Sequence, residues 1–371
     1  MIRERLRGRL EGWLLRVWFG SASPGDRLAA VLLAPLALPL SWLVAAVARR
    51  RRRRIVRQVP DTAVPVVVVG NLVAGGSGKT PLVAAIARGL AEAGLRPGLL
   101  AGGYRAGAGT AGAKPNTMSG MAPPAATMVG AASDAAVVGD EAVLLAVETG
   151  LPLAVGKDRA AAAALLHRLH PEVDVIVSDD GLQHVGLPRF IELLAIDDRG
   201  FGNGRCLPAG PLREPADRLD SVDALVMTAA AAIAPRDHRR QYRSMLAMTA
   251  FVALDGSRRW EPASFAVQQA GEPLAAIAGI ARPARFFQSL QALGLRPQCH
   301  PLPDHVAIDA AWLRTLPGRW ILMTAKDAIK CRGFEAALLA RCVRVEVAAT
   351  PDPALLEWLA ARLGRSGDSK G

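Results

Sequence analysis

The sequence predicts an α/β protein: a P-loop NTPase-like parallel sheet domain, a second smaller α/β domain, and an N-terminal membrane-associated helical segment ahead of both. Three observations carry this expectation. An uncharged stretch from Leu28 to Ala48 runs into six consecutive arginines, Arg49 to Arg54. A β-branched run, Val66 to Val69, leads directly into a glycine-rich loop ending in Lys79 and Thr80. Beyond it, short apolar runs alternate with helix-length segments, the pattern of βα units in a parallel sheet.

The N-terminal segment holds most of the charge. Residues 1–57 contain 13 arginines against Glu4, Glu11 and Asp26, which accounts for +10 of the net +12. A basic patch flanking an apolar run points to anionic lipid head groups, so no nucleic-acid partner is expected and no obligate protein partner is inferred. The stretch Leu28–Ala48 suits a helix crossing a ~30 Å hydrocarbon core at ~1.5 Å per residue. Pro35 and Pro39 each remove a helix donor, which leaves an interfacial or re-entrant hairpin as the alternative to a span. Arginines on the C-terminal side would hold the following domain on the cytoplasmic face. Trp13, Trp18 and Phe19, set among Arg3, Arg5, Arg7, Arg9 and Arg16, fit an amphipathic helix at an interface, or else a core helix with a basic outer face. Cys206, Cys299, Cys331 and Cys342 show neither a CxxC pair nor a disulfide framework, and read as thiols in a reducing compartment.

At 371 residues and 51% hydrophobic, the chain can build two cores. The expected partition is 1–57 for the membrane-associated segment, 58–240 for the P-loop domain and 241–371 for the second domain. In the P-loop domain, strands are expected at Val64–Val69, Pro97–Leu100, Leu153–Val155, Val173–Val177, Ile191–Ile196 and Ala224–Met227. Helices are expected at Pro81–Ala93, Glu141–Glu148 and Arg159–His170. The second domain should hold strands near Leu274–Ile277, Trp320–Met323 and Val343–Val347, with helices near Pro283–Leu293 and Pro353–Leu363. Residues 106–136, rich in Ala, Gly, Ser, Pro and Met without periodicity, read as a flexible insertion.

Gly75, Gly76, Ser77, Gly78, Lys79 and Thr80 form the expected nucleotide-binding loop. Glycines let backbone N–H groups converge on phosphate oxygens, the helix N-terminus adds positive potential, Lys79 reaches the phosphates, and the Thr80 hydroxyl can ligate Mg²⁺. Val73 stands where the strict pattern has glycine.

Asp179 and Asp180 end a strand, where a carboxylate binds Mg²⁺ directly or through water; Asp179 is the first choice and a strand-end turn pair the alternative. Gly139-Asp140-Glu141 opens a helix, so Asp140 is either an N-cap or the carboxylate that accepts a hydroxyl proton, with Glu141 as a further candidate metal ligand. Pro303-Asp304-His305 offers a histidine able to orient such a carboxylate, or a surface loop histidine. Arg213 and Glu214 sit in a proline-bracketed loop, where the arginine could bind phosphate and the glutamate hold it, or the two could form a surface ion pair.

Together VGNLVAGGSGKTPLV, GDEAVLLA, VSDDGLQH, LPAGPLREP and TAKDAIK, in that order after a basic apolar N-terminus, resemble the tetraacyldisaccharide 4′-kinase family over most of residues 60–330. The resemblance implies an ATP- and Mg²⁺-dependent kinase at the cytoplasmic face of a bacterial inner membrane. Its substrate would be the 4′-hydroxyl of an acylated glucosamine disaccharide 1-phosphate lipid, and its product lipid IVA. It implies Asp140 as the general base and His305 as its partner, with Asp179, Asp180, Gln183 and His184 lining the site. Arg213 would face substrate or phosphate, and Lys326 and Asp327 would lie on the second domain's side. The chain departs from the family at Ala101-Gly102-Gly103-Tyr104-Arg105, where Ser-Arg-Gly-Tyr is usual. The rivals are a membrane-bound P-loop switch ATPase acting on a protein partner, which would need neither Asp140 nor His305, and a non-catalytic lipid- or nucleotide-binding module.

Overall fold

The structure is a computed structural model describing residues 10, 12–54, 64–76, 78–102, 125–232, 234–235, 237–304 and 306–364. In chain order the elements begin α1 (Pro24–Arg52), β1 (Val66–Gly70), α2 (Lys79–Glu92), β2 (Pro97–Ala101), β3 (Ala126–Val129), α3 (Ala135–Val138), α4 (Asp140–Thr149), β4 (Leu153–Gly156), α5 (Arg159–Leu169), β5 (Val175–Asp179), β6 (Ile191–Ile196) and β7 (Ala224–Met227). They continue β8 (Gln241–Ala253), β9 (Arg259–Trp260), α6 (Pro262–Gln268), β10 (Leu274–Ala278), α7 (Pro283–Ala292), β11 (Gln298–Pro301), α8 (Ala310–Thr315), β12 (Trp320–Thr324), α9 (Ala325–Lys330), α10 (Ala336–Leu339), β13 (Cys342–Pro351) and α11 (Pro353–Gly364). Two compact units result: Met1–Leu100 with Asp158–Met245 and Pro351–Gly371, and Ala101–Lys157 with Leu246–Thr350. Each is discontinuous in sequence, unlike the contiguous partition expected. Residues 101–157 belong with the second unit because α4 packs on α9.

The first unit is a parallel sheet in the order β8-β7-β6-β1-β5-β2. The four valines of β1 are buried on both faces, so the strand is apolar throughout instead of alternating. Val69 lies opposite Asp179 on β5, and Gly70 opposite Leu194 on β6. This register delivers the loop after β1 and the carboxylates after β5 to the same edge of the sheet, the carboxyl edge that serves ligands in open α/β folds.

Helix α1 also belongs to this unit. It runs unbroken through Pro35 and Pro39, so the hairpin alternative does not hold. Each proline costs one backbone bond, and the remaining turns, closed at Ser23 and Asp26 by a capping box, keep the helix. It is long and apolar enough to cross a membrane. Its Ser41 hydroxyl donates to the Cys206 carbonyl at 2.8 Å, and Arg49 and Arg52 pair with Asp217 at 2.8 and 3.0 Å. Leu28, Val31, Leu32, Leu36, Leu40, Trp42 and Leu43 remain exposed. Of the two readings for the aromatic residues ahead of α1, Trp18 takes the core one: it is buried, with its indole N–H donating to the Pro208 carbonyl at 3.2 Å.

The second unit has a parallel sheet, β11-β10-β12-β13, with β8 paired antiparallel to β9. Alternation along β12 sends Trp320 and Leu322 into one core, with Phe251, Trp260 and Phe265, and Ile321 and Met323 into another, with Ile308 and Leu313. β3 and β4 pair antiparallel beside α4. The stretch read as a flexible insertion therefore contains β3 and the start of α3; residues 103–124 lie outside those described. Among the described residues all four cysteines are free, Cys206, Cys331 and Cys342 being buried.

Candidate active site

In the first unit the phosphate loop is built from glycine conformations and docked on a second loop. Gly75 and Gly78 take φ of 94° and 73°, the left-handed region that suits glycine. The Leu72 carbonyl accepts from Arg213 N at 2.7 Å, and Ala74 N donates to the Pro211 carbonyl at 2.8 Å. The segment Gly210–Pro215 thus backs the phosphate loop. Lys79 opens α2, and its ammonium donates to Asn71 Oδ1 at 2.7 Å and pairs with Asp180 at 3.2 Å. Thr80 Oγ1 donates to Asp179 Oδ2 at 2.8 Å.

Asp180, at φ of 51°, turns its carboxylate between two cations, Lys79 and Arg213, whose Nη1 donates to it at 2.8 and 3.1 Å. Burial works against its charge, but the two cations outweigh burial and hold the carboxyl below its usual range. Gln183 donates to Glu214 at 2.9 Å and accepts from Arg213 at 3.4 Å. Burial pushes the Glu214 carboxyl up. The His184 imidazole is pushed down by burial and by Arg159 and Arg189, and so is neutral at pH 7.

In the second unit Gly139, at φ of 93°, turns the chain into α4, and Asp140 is buried at its start. Lys326, on α9, donates to Glu141 at 2.9 Å and to Asp304 at 3.0 Å, and lies 3.8 Å from Asp140. Burial disfavours its charge, but Glu141, Asp140 and Asp304 outweigh burial and hold the ammonium above its ordinary value. Asp327 is fully buried, accepting from Gly279 N at 3.0 Å, Thr324 Oγ1 at 2.7 Å and Lys330 at 3.0 Å.

The model of the family Tetraacyldisaccharide-1-P 4′-kinase matches residues 33–364. The chain belongs to this family. It is 47% identical over 304 residues to a tetraacyldisaccharide 4′-kinase of Alkalilimnicola ehrlichii, covering 81% of this chain and 83% of that one. It is 43% identical to that of Bordetella petrii, covering 90% and 92%. Its fold is similar to that of LpxK from Aquifex aeolicus, solved in complex with ATP, at a TM-score of 0.68 and 23% identity over 91% of this chain and 99% of the other.

Several residues singled out in the family motifs take partners other than those expected. Glu214 holds Gln183 and approaches Arg218 at 3.5 Å, while Arg213 is held by Asp180. Asp327 supports the fold beneath Lys326 and α9. Glu141 is paired with Lys326 in the second unit, whereas Thr80 and Asp179 lie in the first. Ser77 and His305 lie outside the described residues. Three side chains went unread in the sequence. Asn71 tethers Lys79, Arg199 donates to the Gly76 carbonyl at 2.9 Å, and buried Arg159 adds positive potential at Asp179 and Asp180. A cation as the first residue of α5 opposes the helix dipole, which was the one local signal for Arg159.

Among the described residues no cluster of three or more His, Cys, Asp or Glu could hold a metal through protein alone. The pair at Thr80 and Asp179 fits Mg²⁺ nonetheless. That ion takes one or two hard oxygen ligands from protein and fills its octahedron with water and phosphate.

Proposed function

We propose that the chain is an ATP-dependent kinase that phosphorylates the 4′-hydroxyl of a tetraacyldisaccharide 1-phosphate lipid to give lipid IVA. The observation that carries this reading is the meeting of Thr80 and Asp179 at 2.8 Å, beside Lys79, at the carboxyl ends of adjacent strands β1 and β5 in a chain of this family.

The loop amides and Lys79 hold the phosphates, and Arg213 leaves Asp180 to take a phosphate oxygen, since a planar guanidinium suits either partner. Thr80 and Asp179 would hold Mg²⁺, which would supply positive charge to the transferring group. Asp140 takes the proton of the attacking hydroxyl, and Lys326 keeps that carboxylate company as a cation. His305 is its proposed partner. The exposed apolar side chains of α1 sit in the bacterial inner membrane at its cytoplasmic face, among the lipids that carry the substrate.

Detergent-solubilised protein incubated with γ-labelled ATP, Mg²⁺ and the disaccharide monophosphate tests this. Labelled lipid is expected from wild type, with loss of roughly 100-fold or more in Lys79→Ala and Asp140→Ala. Release of inorganic phosphate without labelled lipid would replace the kinase with the switch ATPase.

A further inference from the structure

Arg199 is fixed on three sides in the first unit. Its Nε and Nη2 donate to the buried carboxylate of Asp197 at 3.0 and 2.6 Å, just beyond the end of β6. Its Nη2 also donates to the Gly76 carbonyl of the phosphate loop at 2.9 Å. Its guanidinium carbon lies 5.2 Å from the centre of the Phe19 ring, in cation–π range. Phe19 is itself held by its neighbour. Trp18 is buried, its indole donating to Pro208 and its carbonyl accepting from Asn203 N at 2.9 Å.

A loop so rich in glycine has the most conformational freedom to lose when it closes on phosphates. A guanidinium that grips one carbonyl while clamped to a carboxylate removes part of that freedom beforehand, which strengthens binding without touching the ligand. The planar fork is needed for both acceptors at once, and a lysine ammonium does not reproduce it.

We propose that Arg199 is a positioning residue for the phosphate loop and that Phe19, from the segment ahead of α1, holds it there. This makes the N-terminal segment part of the support of the nucleotide site as well as a neighbour of the apolar helix. The proposal rests on reading the loop as the ATP site.

The test is equilibrium binding of a ribose-labelled fluorescent ATP to the full chain in detergent with Mg²⁺ and no lipid acceptor, so that its outcome is independent of phosphoryl transfer. Arg199→Ala and Arg199→Lys are expected to weaken binding about tenfold, the scale of a charge-assisted hydrogen bond. Phe19→Leu, which keeps apolar bulk and removes the π face, is expected to weaken it roughly threefold with an unchanged urea midpoint. Unaltered nucleotide affinity in Phe19→Leu, with a higher KM for lipid alone, overturns the proposal and leaves Phe19 a membrane-side aromatic. Arg199→Lys that binds like wild type overturns it as well. If the Arg199 variants do not fold, Phe19→Leu alone decides. Wild type that fails to bind the ATP probe removes the nucleotide-site reading beneath it.

Discussion

Lys79 donates its ammonium to the side-chain oxygen of Asn71 at 2.7 Å, and the Asn71 amide donates in turn to the Val73 carbonyl at 2.7 Å. One buried amide therefore aims the loop lysine and fixes the backbone where valine replaces the expected glycine. Asn71→Ala leaves the Val73 carbonyl without its amide donor and the lysine without one partner. We expect kcat/KM for ATP to fall about tenfold and stability to fall by about 1–3 kcal/mol, read from initial rates and urea unfolding. Normal ATP kinetics in that variant would show that Asp180 alone positions the lysine.

Lys326 is the cation that Glu141, Asp304 and Asp140 share. Lys326→Met should lower kcat at pH 7 by about tenfold or more, because Glu141, Asp304 and Asp140 lose the cation they share and face one another as like charges. The linkage with folding has a definite sign. The folded ammonium titrates above the ordinary 10.5, so its contribution is fully present below pH 10.5 and is lost as pH rises through the higher folded value. Wild type should thus lose stability on the alkaline side relative to Lys326→Met.

Glu192 is buried between Arg189, at 3.0 Å, and Arg218. Glu192→Gln leaves buried Arg189 without its anion and buried Arg218 with Glu214 alone, at 3.5 Å, and is expected to cost about 3–5 kcal/mol, seen as a lowered urea midpoint. Burial raises the carboxyl and the two arginines more than offset that, so its folded value lies below 4.5. Its stabilisation is present above pH 4.5 and disappears as pH falls through the lower folded value. Acid unfolding should be shallower in Glu192→Gln than in wild type.

Leu32, Leu36 and Leu43 are exposed on α1. Their joint replacement by Gln is expected to release the protein from anionic vesicles in a flotation assay and to raise KM for the lipid, while KM for ATP stays unchanged. Retention on vesicles would assign membrane binding to the arginines.

The sequence was most legible where chemistry is local. Valines running into glycines, lysine and threonine announce a strand, a loop and a helix N-terminus within fifteen residues, and the structure has β1, the loop and α2 there. The strand β8 was missed because its 13 residues, with three alanines and two methionines, carry only Thr249 and Val252 as β-branched residues, too few to mark a strand. The short helix α9 hid in a run equally compatible with a loop.

The sequence by itself determined the α/β class, the place of the phosphate loop and the candidate carboxylates, since periodicity and glycine content act over a few residues. Only the tertiary structure decided which charge meets which. Asp180 takes Arg213 across 33 residues, Gly76 takes Arg199 across 123, and Glu141 takes Lys326 across 185. Such partners are fixed by strand register and by the packing of each unit, and no local pattern encodes the distance between atoms so far apart in the chain.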